Sequence, residues 1–201
     1  MQTPKYMHTS FLKEDVLNDL SRLFEEGQDH DLEFKCEDKI IKAHKSVLCC
    51  RSATFTSMFK SDINFGFTNQ VTIQDVESSI FRQFLRCLYA GDWPELTVDV
   101  AKRLYEVAEK YAVHALKTHC ISFLMENLSP DNACNTLIIA DRYGDRNCKK
   151  TVMEYVIKQK IQFMEEKWPD LCKISPTLAT EVLSLFCQNL QQDTKKKNRI
   201  K

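Results

Sequence analysis

The N-terminal part of the chain alternates between apolar and polar positions with the period of an α-helix. Between residues 11 and 26, Val16, Leu20 and Leu23 recur on one side, and charged residues occupy the other. This pattern is typical of an amphipathic helix that packs one face against a partner, and Gly27 is placed to end it. Periodicity alone favours a face that is turned toward the core of the same chain.

Three segments alternate with the period of a β-strand instead. Residues 31–36 and 39–43 are separated by two residues suited to a tight turn and predict a hairpin, and residues 70–74 predict a third strand. Helical periodicity covers most of the rest, with predicted helices at residues 45–50, 52–61, 79–89, 98–110, 113–126, 129–143, 146–160, 161–167 and 176–190. Because the strands lie early and the helices follow, the pattern predicts an α+β fold rather than a βαβ repeat.

The composition of the 201 residues is that of a globular protein without a dominant charge. Lys+Arg and Asp+Glu number 28 each, so no overall field favours nucleic acid or a membrane surface, and no apolar run is long enough to span a membrane. The nine cysteines are odd in number and lie in apolar stretches, and no secretory segment precedes them. These features predict free thiols in a reducing compartment, and therefore an intracellular protein.

Patterns that indicate catalysis or metal binding are weak. The four glycines are not clustered, which excludes a phosphate-cradling loop. His44 with Cys49 and Cys50 lacks the spacing of zinc ligands, and a lone histidine between a strand and a helix is more typical of a structural residue. Either cysteine could act as a nucleophile, but no sequence feature marks one as activated. We expect no enzyme activity, no metal and no cofactor.

Several separate motifs, in the right order, resemble those of the BTB/POZ family. They are HDLEF at 30–34, AHKSVL at 43–48, RS at 51–52 before Phe55, MF at 58–59, LYAG at 88–91, AEKY at 108–111, LSPDNA at 128–133 and IAD at 139–141. The similarity covers residues 11–190, and within the family it is nearest to the speckle-type POZ protein group. It implies the BTB/POZ fold, a small sheet flanked by helices, followed by an all-helical extension.

The resemblance implies a homodimer, because the first helix of this family packs across a twofold axis. Its dimer contacts match four apolar positions: Val16, Leu20, Leu23 and Val47. An isologous patch of this kind is the commonest basis of a homodimer, and it reverses the interpretation of this face as an intramolecular one. The family also brings Asp31 and Lys45 together near the dimer groove, where a simple surface pair is the alternative.

A second implication concerns the loop at residues 62–69. In the speckle-type group this loop, together with the helix before it, docks on cullin-3 through a hydrophobic-x-Glu element. The matching positions are Met58, Phe59, Ile63, Asn64 and Phe65. Ile63 keeps the hydrophobic position, but Phe65 stands where the resemblance requires glutamate, which weakens the expected contact. Alternatively, Ile63, Phe65 and Phe67 form an exposed apolar contact surface, or the two phenylalanines fold back onto the core.

The resemblance divides the chain into four parts. We expect a disordered N-terminus at residues 1–10, the BTB/POZ domain at 11–127, a 3-box/BACK-like extension at 128–190 and a basic disordered tail at 191–201. In the family the extension enlarges the cullin surface and can supply a second self-association contact, at a position held here by Leu183. The tail is either a nuclear-localisation signal or a solubilising segment. Its basic residues are Lys195, Lys196, Lys197 and Arg199.

These features together predict a homodimeric protein-interaction module that serves as the substrate adaptor of a cullin-3 RING ubiquitin ligase. The alternative is a dimerisation or scaffold protein that does not recruit cullin and pairs with relatives carrying a MATH domain. The resemblance includes no MATH domain, which indicates either a truncated chain or a protein that never had one. The expected partners are a second copy, higher oligomers, cullin-3 and a substrate protein or MATH-BTB relative, in the nucleus or the cytoplasm.

Overall fold

The computed structural model describes residues 7–60, 69–91, 95–159 and 167–199, and the chain forms two compact units, residues 1–120 and 121–201. The N-terminal unit contains α1 (Met7–Glu26), β1 (Leu32–Cys36), β2 (Lys39–Ala43), α2 (Lys45–Arg51), α3 (Ala53–Lys60), β3 (Gln70–Ile73), α4 (Ser78–Ala90) and α5 (Val98–Lys110). Helix α6 (His114–Glu126) spans the boundary. The C-terminal unit continues with α7 (Pro130–Arg142), α8 (Arg146–Gln159), α9 (Trp168–Ile174) and α10 (Pro176–Arg199).

The three strands form one sheet in the order β2-β1-β3. Strands β1 and β2 pair antiparallel with Phe34 opposite Ile41, and Glu37 takes a positive φ of 54° in the turn between them. Strand β3 pairs in parallel with β1 and places Val71 opposite Phe34. Alternate side chains of β1 are buried, as the period of two requires. The predicted α+β architecture, with strands in the first part of the chain and helices after them, is confirmed.

Aromatic side chains fill the core of the N-terminal unit. Phe34 meets Phe81 of α4 edge-on with ring centroids 5.0 Å apart, and Phe55 of α3 stacks on Tyr111 at 4.5 Å. Such pairs contribute about 0.5–1.5 kcal/mol beyond the burial of their area. The Ser52 hydroxyl accepts a hydrogen bond from the Phe55 N–H (3.1 Å) and donates one to the Tyr111 carbonyl oxygen (2.5 Å), so it caps α3 and joins it to the end of α5.

The C-terminal unit has an aliphatic core instead. One buried residue from each of its four helices illustrates this core: Leu137, Val152, Leu171 and Val182. At its surface the Lys149 ammonium lies 2.5 Å from a carboxylate oxygen of Asp141 and 2.7 Å from one of Glu181, and so ties α8 to both α7 and α10. The Asn132 side chain accepts a hydrogen bond from the Ser129 N–H (2.9 Å) and fixes the start of α7.

Helices extend into both terminal segments for which the sequence predicts disorder. Helix α1 begins at Met7, inside the segment 1–10. At the other end α10 continues to Arg199. Residues 191–199 contain no glycine or proline, and glutamine and lysine are good helix formers, so a polar composition alone does not end the helix.

Helix α9 is absent from the predicted set, in which no helix covers residues 168–175. The structure places Pro169 at the second residue of α9. Proline is tolerated in the first turn, since the N–H that it lacks has no intrahelical partner there. The helix predicted at residues 161–167 falls almost entirely outside the described residues. Apart from α1 and α10, the other helices and strands agree with their predicted ranges to within a residue or two.

Candidate functional site

The middle and the C-terminal end of helix α1 lie in different environments. Phe24, near its C-terminal end, is buried against Tyr89 of α4, with ring centroids 4.9 Å apart. The neighbouring Glu25 forms ion pairs with Arg82 and Arg86 of α4. The apolar side chains farther toward the N-terminus are not covered in this way, because Val16 is 56% exposed and its neighbour Leu17 is 43% exposed. Large apolar residues with this exposure, side by side, indicate a contact surface.

An open groove of about 380 Å³ lies between α1 and α2. We call it the α1–α2 groove. Its walls come from one face of each helix and its floor from the end of α4. The lining residues are Leu17 and Leu20 of α1, Ser46, Val47, Cys50 and Arg51 of α2, and Leu88, Tyr89 and Gly91 of the floor. Most of these side chains are apolar, so the groove is suited to the apolar face of a helix.

A buried hydrogen-bond network holds the two walls to the floor. The Tyr89 hydroxyl accepts a hydrogen bond from the His44 N–H (2.7 Å) and lies 2.8 Å from His44 Nδ1. His44 Nε2 lies 2.7 Å from the Gln28 carbonyl oxygen, which can only accept, so Nε2 carries a proton. Burial raises the pKa of Tyr89 to about 12, so its hydroxyl stays protonated even at moderately alkaline pH. His44 is therefore a structural residue, as its sequence context predicts.

Asp31 contacts the backbone of Lys45, which differs from the simple ion pair between side chains that the sequence suggests. An Asp31 carboxylate oxygen accepts a hydrogen bond from the Lys45 backbone N–H (2.8 Å) at the start of α2. The Lys45 ammonium instead donates a hydrogen bond to the side-chain oxygen of Asn69 (2.8 Å), the residue immediately before β3. A carboxylate at a helix N-terminus is favourable, and this contact orients α2 relative to β1.

The structure brings together only part of the predicted dimer residues. Leu20 and Val47 line the α1–α2 groove from opposite walls. Val16 is exposed beside the groove and Leu23 is half-buried, and neither lines it.

Sequence reasoning did not assign the other seven lining residues to the groove. Leu17 lies three residues before Leu20 and could have been found from helical spacing, whereas Tyr89 and Arg51 reach the groove only through the tertiary fold.

The positions matched to the cullin contact are described only in part. Met58 and Phe59, on α3, are half-buried, and Phe59 stacks on Phe55 with ring centroids 5.7 Å apart. Ile63, Asn64 and Phe65 lie outside the described residues. In the tail, α10 reaches Arg199, so the basic segment lies on a helix. The cullin-3 contact and the nuclear-localisation signal both concern binding, so they stay predictions.

Within the described part of the chain, no group of three or more histidine, cysteine or acidic side chains is arranged to hold a metal ion. Five of the nine free cysteines are buried: Cys36, Cys87, Cys120, Cys134 and Cys148. Burial is the main cause that raises the pKa of the Cys36 and Cys134 thiols, and it raises that of Cys120 to about 12. These thiols therefore contribute as small apolar side chains. Across the same described ranges, no helix combines the length and the apolar character needed to cross a membrane.

The family model of the BTB/POZ domain matches residues 20–128, which include the α2 wall and the floor of the groove and, from the α1 wall, Leu20 but not Leu17. The chain belongs to the BTB/POZ family. The BTB/POZ domain is a protein-interaction module, and the predicted small sheet flanked by helices is confirmed for it. The chain is 30% identical over 174 residues to the Caenorhabditis elegans protein maternal effect lethal 26, across 86% of this chain and 44% of that protein. The chain thus spans less than half the length of this relative.

A solved structure supports the fold of the same region. The BTB domain of zebrafish PATZ1 aligns with a TM-score of 0.51 over 63% of this chain and 99% of the PATZ1 chain. The two sequences are 17% identical in the alignment, so the likeness concerns the fold alone.

Proposed function

We propose that this BTB/POZ protein is a homodimer whose contact surface is the α1–α2 groove and the exposed middle of α1. The observation that carries the proposal is the open apolar groove, with Leu20 and Val47 on facing walls and Val16 and Leu17 exposed beside it. A helix that already forms one wall of a groove can enter the same groove of a second copy, and two identical contacts then form about a twofold axis. In BTB/POZ relatives the first helix is the dimer element, which supports this assignment.

The test of the dimer is analytical ultracentrifugation of a Leu20→Asp variant. We expect the variant to sediment as a monomer, because an unpaired carboxylate buried in an apolar contact costs about 3–5 kcal/mol. Ile40→Asp is the matched control, since Ile40 is 48% exposed on β2, away from the groove. Circular dichroism checks that both variants are folded. A Leu20→Asp protein that keeps the dimer mass contradicts the proposal.

We further propose that the dimer acts as a substrate adaptor of a cullin-3 RING ubiquitin ligase. Support comes from the resemblance to the speckle-type POZ protein group, in which the MF pair and the loop after it dock on cullin-3. Phe59 and Met58 are at the end of α3 and partly exposed, and Ile63 keeps the hydrophobic position of the loop. The helical C-terminal unit follows the BTB/POZ domain as the 3-box/BACK region does in that group.

One residue favours a second function. Phe65 stands at the position where the group has glutamate, and the loss of a charged partner contact costs up to a few kcal/mol when the contact is desolvated. The alternative is therefore a dimerisation or scaffold protein that does not recruit cullin and pairs with MATH-BTB relatives. For either function, the protein is nuclear if the basic residues within 195–199 act as a nuclear-localisation signal, and cytoplasmic if they do not.

Calorimetry with the N-terminal region of cullin-3 separates the two functions. Wild type, Phe65→Glu and the control Phe67→Glu are titrated in parallel. Submicromolar binding by wild type supports the adaptor. Binding by Phe65→Glu alone supports the scaffold, because it shows that the remaining surface is intact and that one side chain has removed the contact. If Phe65→Glu and Phe67→Glu gain the same affinity for cullin-3, the added charge acts nonspecifically. The match of Phe65 to the glutamate position of the speckle-type group would then be without support.

Higher oligomers form a further part of the proposal. Leu183 and Leu190 of α10 are 43% and 57% exposed, and Leu183 occupies the position at which the group places an aromatic contact. A Leu183→Asp variant is expected to lose only species larger than the dimer, and sedimentation at increasing concentration measures this.

A further inference from the structure

We infer that the outer face of the three-stranded sheet is a docking surface for an extended acidic segment of a partner protein. The segment would place an apolar side chain on Ile40 and carboxylates on Lys35 and Lys42. This surface lies apart from the proposed dimer contact, since none of these three residues lines the α1–α2 groove. The inference therefore goes beyond the proposed function and does not depend on it.

One face of the sheet is buried in the core of the N-terminal unit. Phe34 on β1, Ile41 on β2 and Ile73 on β3 belong to this buried face. Because side chains alternate along a strand, the residues between them project from the opposite face, which we call the outer face. They form two rows across the sheet: Lys42, Glu33 and Gln70, and then Ile40, Lys35 and Thr72. Glu33 is half-buried and the other five are exposed, so the described residues leave this face open.

The outer face carries two lysines whose charge is not balanced within the described part of the chain. Lys35 and Lys42 are exposed, and no acidic side chain among the described residues forms an ion pair with either. The one acid of the face, Glu33, is already engaged. Its carboxylate accepts a hydrogen bond from the side-chain amide of Gln70 (3.1 Å) and lies 3.4 Å from Nε2 of His30. The face therefore presents positive charge and favours a partner that supplies carboxylates.

Ile40 gives this positive surface an apolar centre. Its side chain is 48% exposed, and it lies directly opposite Lys35 in the strand register and two residues before Lys42 on the same face. Opposite residues on neighbouring strands lie about 5 Å apart, and alternate residues along one strand about 7 Å apart. An extended partner has the same spacing of about 7 Å between its alternate residues. A large apolar residue two positions from an acid would therefore match Ile40 and Lys42 together.

Two other occupants fit the outer face less well. A second copy that docked through the same face would bring Lys35 and Lys42 of both chains together, and like charges oppose such a contact. Nucleic acid is held by many phosphate contacts, whereas two unpaired lysines beside an isoleucine offer few, and the chain has no net positive charge. An acidic segment with one apolar residue uses all three side chains of the surface.

A matched pair of peptides tests the surface by NMR of the isotopically labelled full chain. The probe is the capped peptide Glu-Thr-Leu-Thr-Glu, and the control is Lys-Thr-Leu-Thr-Lys, which keeps the leucine and the strand-forming threonines. We expect the acidic peptide to shift the amide signals of Lys35, Ile40 and Lys42 until they saturate, and the basic peptide to leave them unchanged. A wild type that responds equally to both peptides, or to neither, overturns the inference. So does an acidic peptide that shifts the signals of the α1–α2 groove instead.

Charge reversal on the protein is the decisive measurement. The double variant Lys35→Glu/Lys42→Glu is expected to raise the dissociation constant of the acidic peptide about tenfold at about 0.1 M salt, because two exposed ion pairs are lost. The same variant should gain binding of the basic peptide, since the charges of both partners are then exchanged. Arg146→Glu/Lys150→Glu, a reversal of two exposed charges on α8, is the matched control and should leave the dissociation constant unchanged. A Lys35→Glu/Lys42→Glu protein that does not respond to the basic peptide overturns the inference.

Discussion

The C-terminal end of helix α1 and its middle differ in what covers them, although one continuous helix carries both. The C-terminal end is covered by its own chain, through Phe24 on Tyr89 and Glu25 with the arginines of α4. The middle, at Val16 and Leu17, is exposed. An amphipathic pattern therefore does not say which protein chain covers an apolar face. The division indicates that changes at the C-terminal end should act on folding and changes in the middle on association.

The largest effect is expected at the covered end. Phe24→Ala removes a buried ring and its contact with Tyr89, and we expect it to lower the free energy of unfolding by about 3–5 kcal/mol. Chemical denaturation measures the change, and Val16→Ala is the comparison in the exposed middle. If the two variants lose similar stability, the distinction between the two parts of the helix is wrong.

Tyr89→Phe keeps the ring on Phe24 but removes the hydroxyl that contacts the His44 N–H and Nδ1. A buried donor left without a partner costs about 1–3 kcal/mol, so we expect a loss in this range by denaturation. The raised pKa of Tyr89 adds a test. The stability that the hydroxyl contributes is fully present below pH 10.0, the ordinary pKa of tyrosine. It is lost as the pH rises toward about 12, the pKa in the folded protein. The difference between wild type and variant should therefore shrink at alkaline pH, and a constant difference would contradict this.

Gly27, which ends α1, is expected to tolerate alanine less well than Gly91. Both have a positive φ near 60°, which costs about 1 kcal/mol for a residue with a side chain. At Gly27 an added methyl group would also lie 2.9 Å from Cδ of Lys42, whereas at Gly91 nothing is within 4 Å. Gly27→Ala should lose about 1–2 kcal/mol and Gly91→Ala less, as measured by thermal unfolding. Equal losses would show that the lysine side chain moves aside freely.

The smallest effect on stability is expected in the exposed middle of α1. Val16→Ser should change the free energy of unfolding by less than about 0.5 kcal/mol, since Val16 is 56% exposed in the monomer. The same variant should weaken the dimer, which dilution experiments by sedimentation can measure. A variant that loses stability at protein concentrations below the dimer dissociation constant would show that Val16 is covered by its own chain.

The sequence predicted the local structure of this chain better than its ends or its groove. Strand β2 and helix α5 have the bounds that periodicity predicts, because local pattern and tertiary burial agree there. The segment before Phe11 and the polar tail were expected to be disordered because they lack apolar faces, yet helices α1 and α10 extend into them, and residues 7–10 and 191–199 contain no glycine or proline.

The groove shows a second limit of sequence reasoning. Leu20 and Val47 were suggested by resemblance to a family, while Tyr89 and Arg51 come from other elements and reach the groove through packing that no single segment reports. The loop with Ile63 and Phe65 lies outside the described residues, and its role depends on binding measurements.

Tyr89 bears on the rate at which a second chain can dock and on the free energy that docking costs. One phenol contacts Phe24 on the α1 side and His44 just before α2, so the separation of the two walls is set by the folded monomer. Formation of the proposed dimer would then require little movement of these two walls, and exposed side chains such as Leu17 and Arg51 would be the groups that lose entropy on docking. A newly synthesised chain would therefore present this docking surface as soon as the groove has folded.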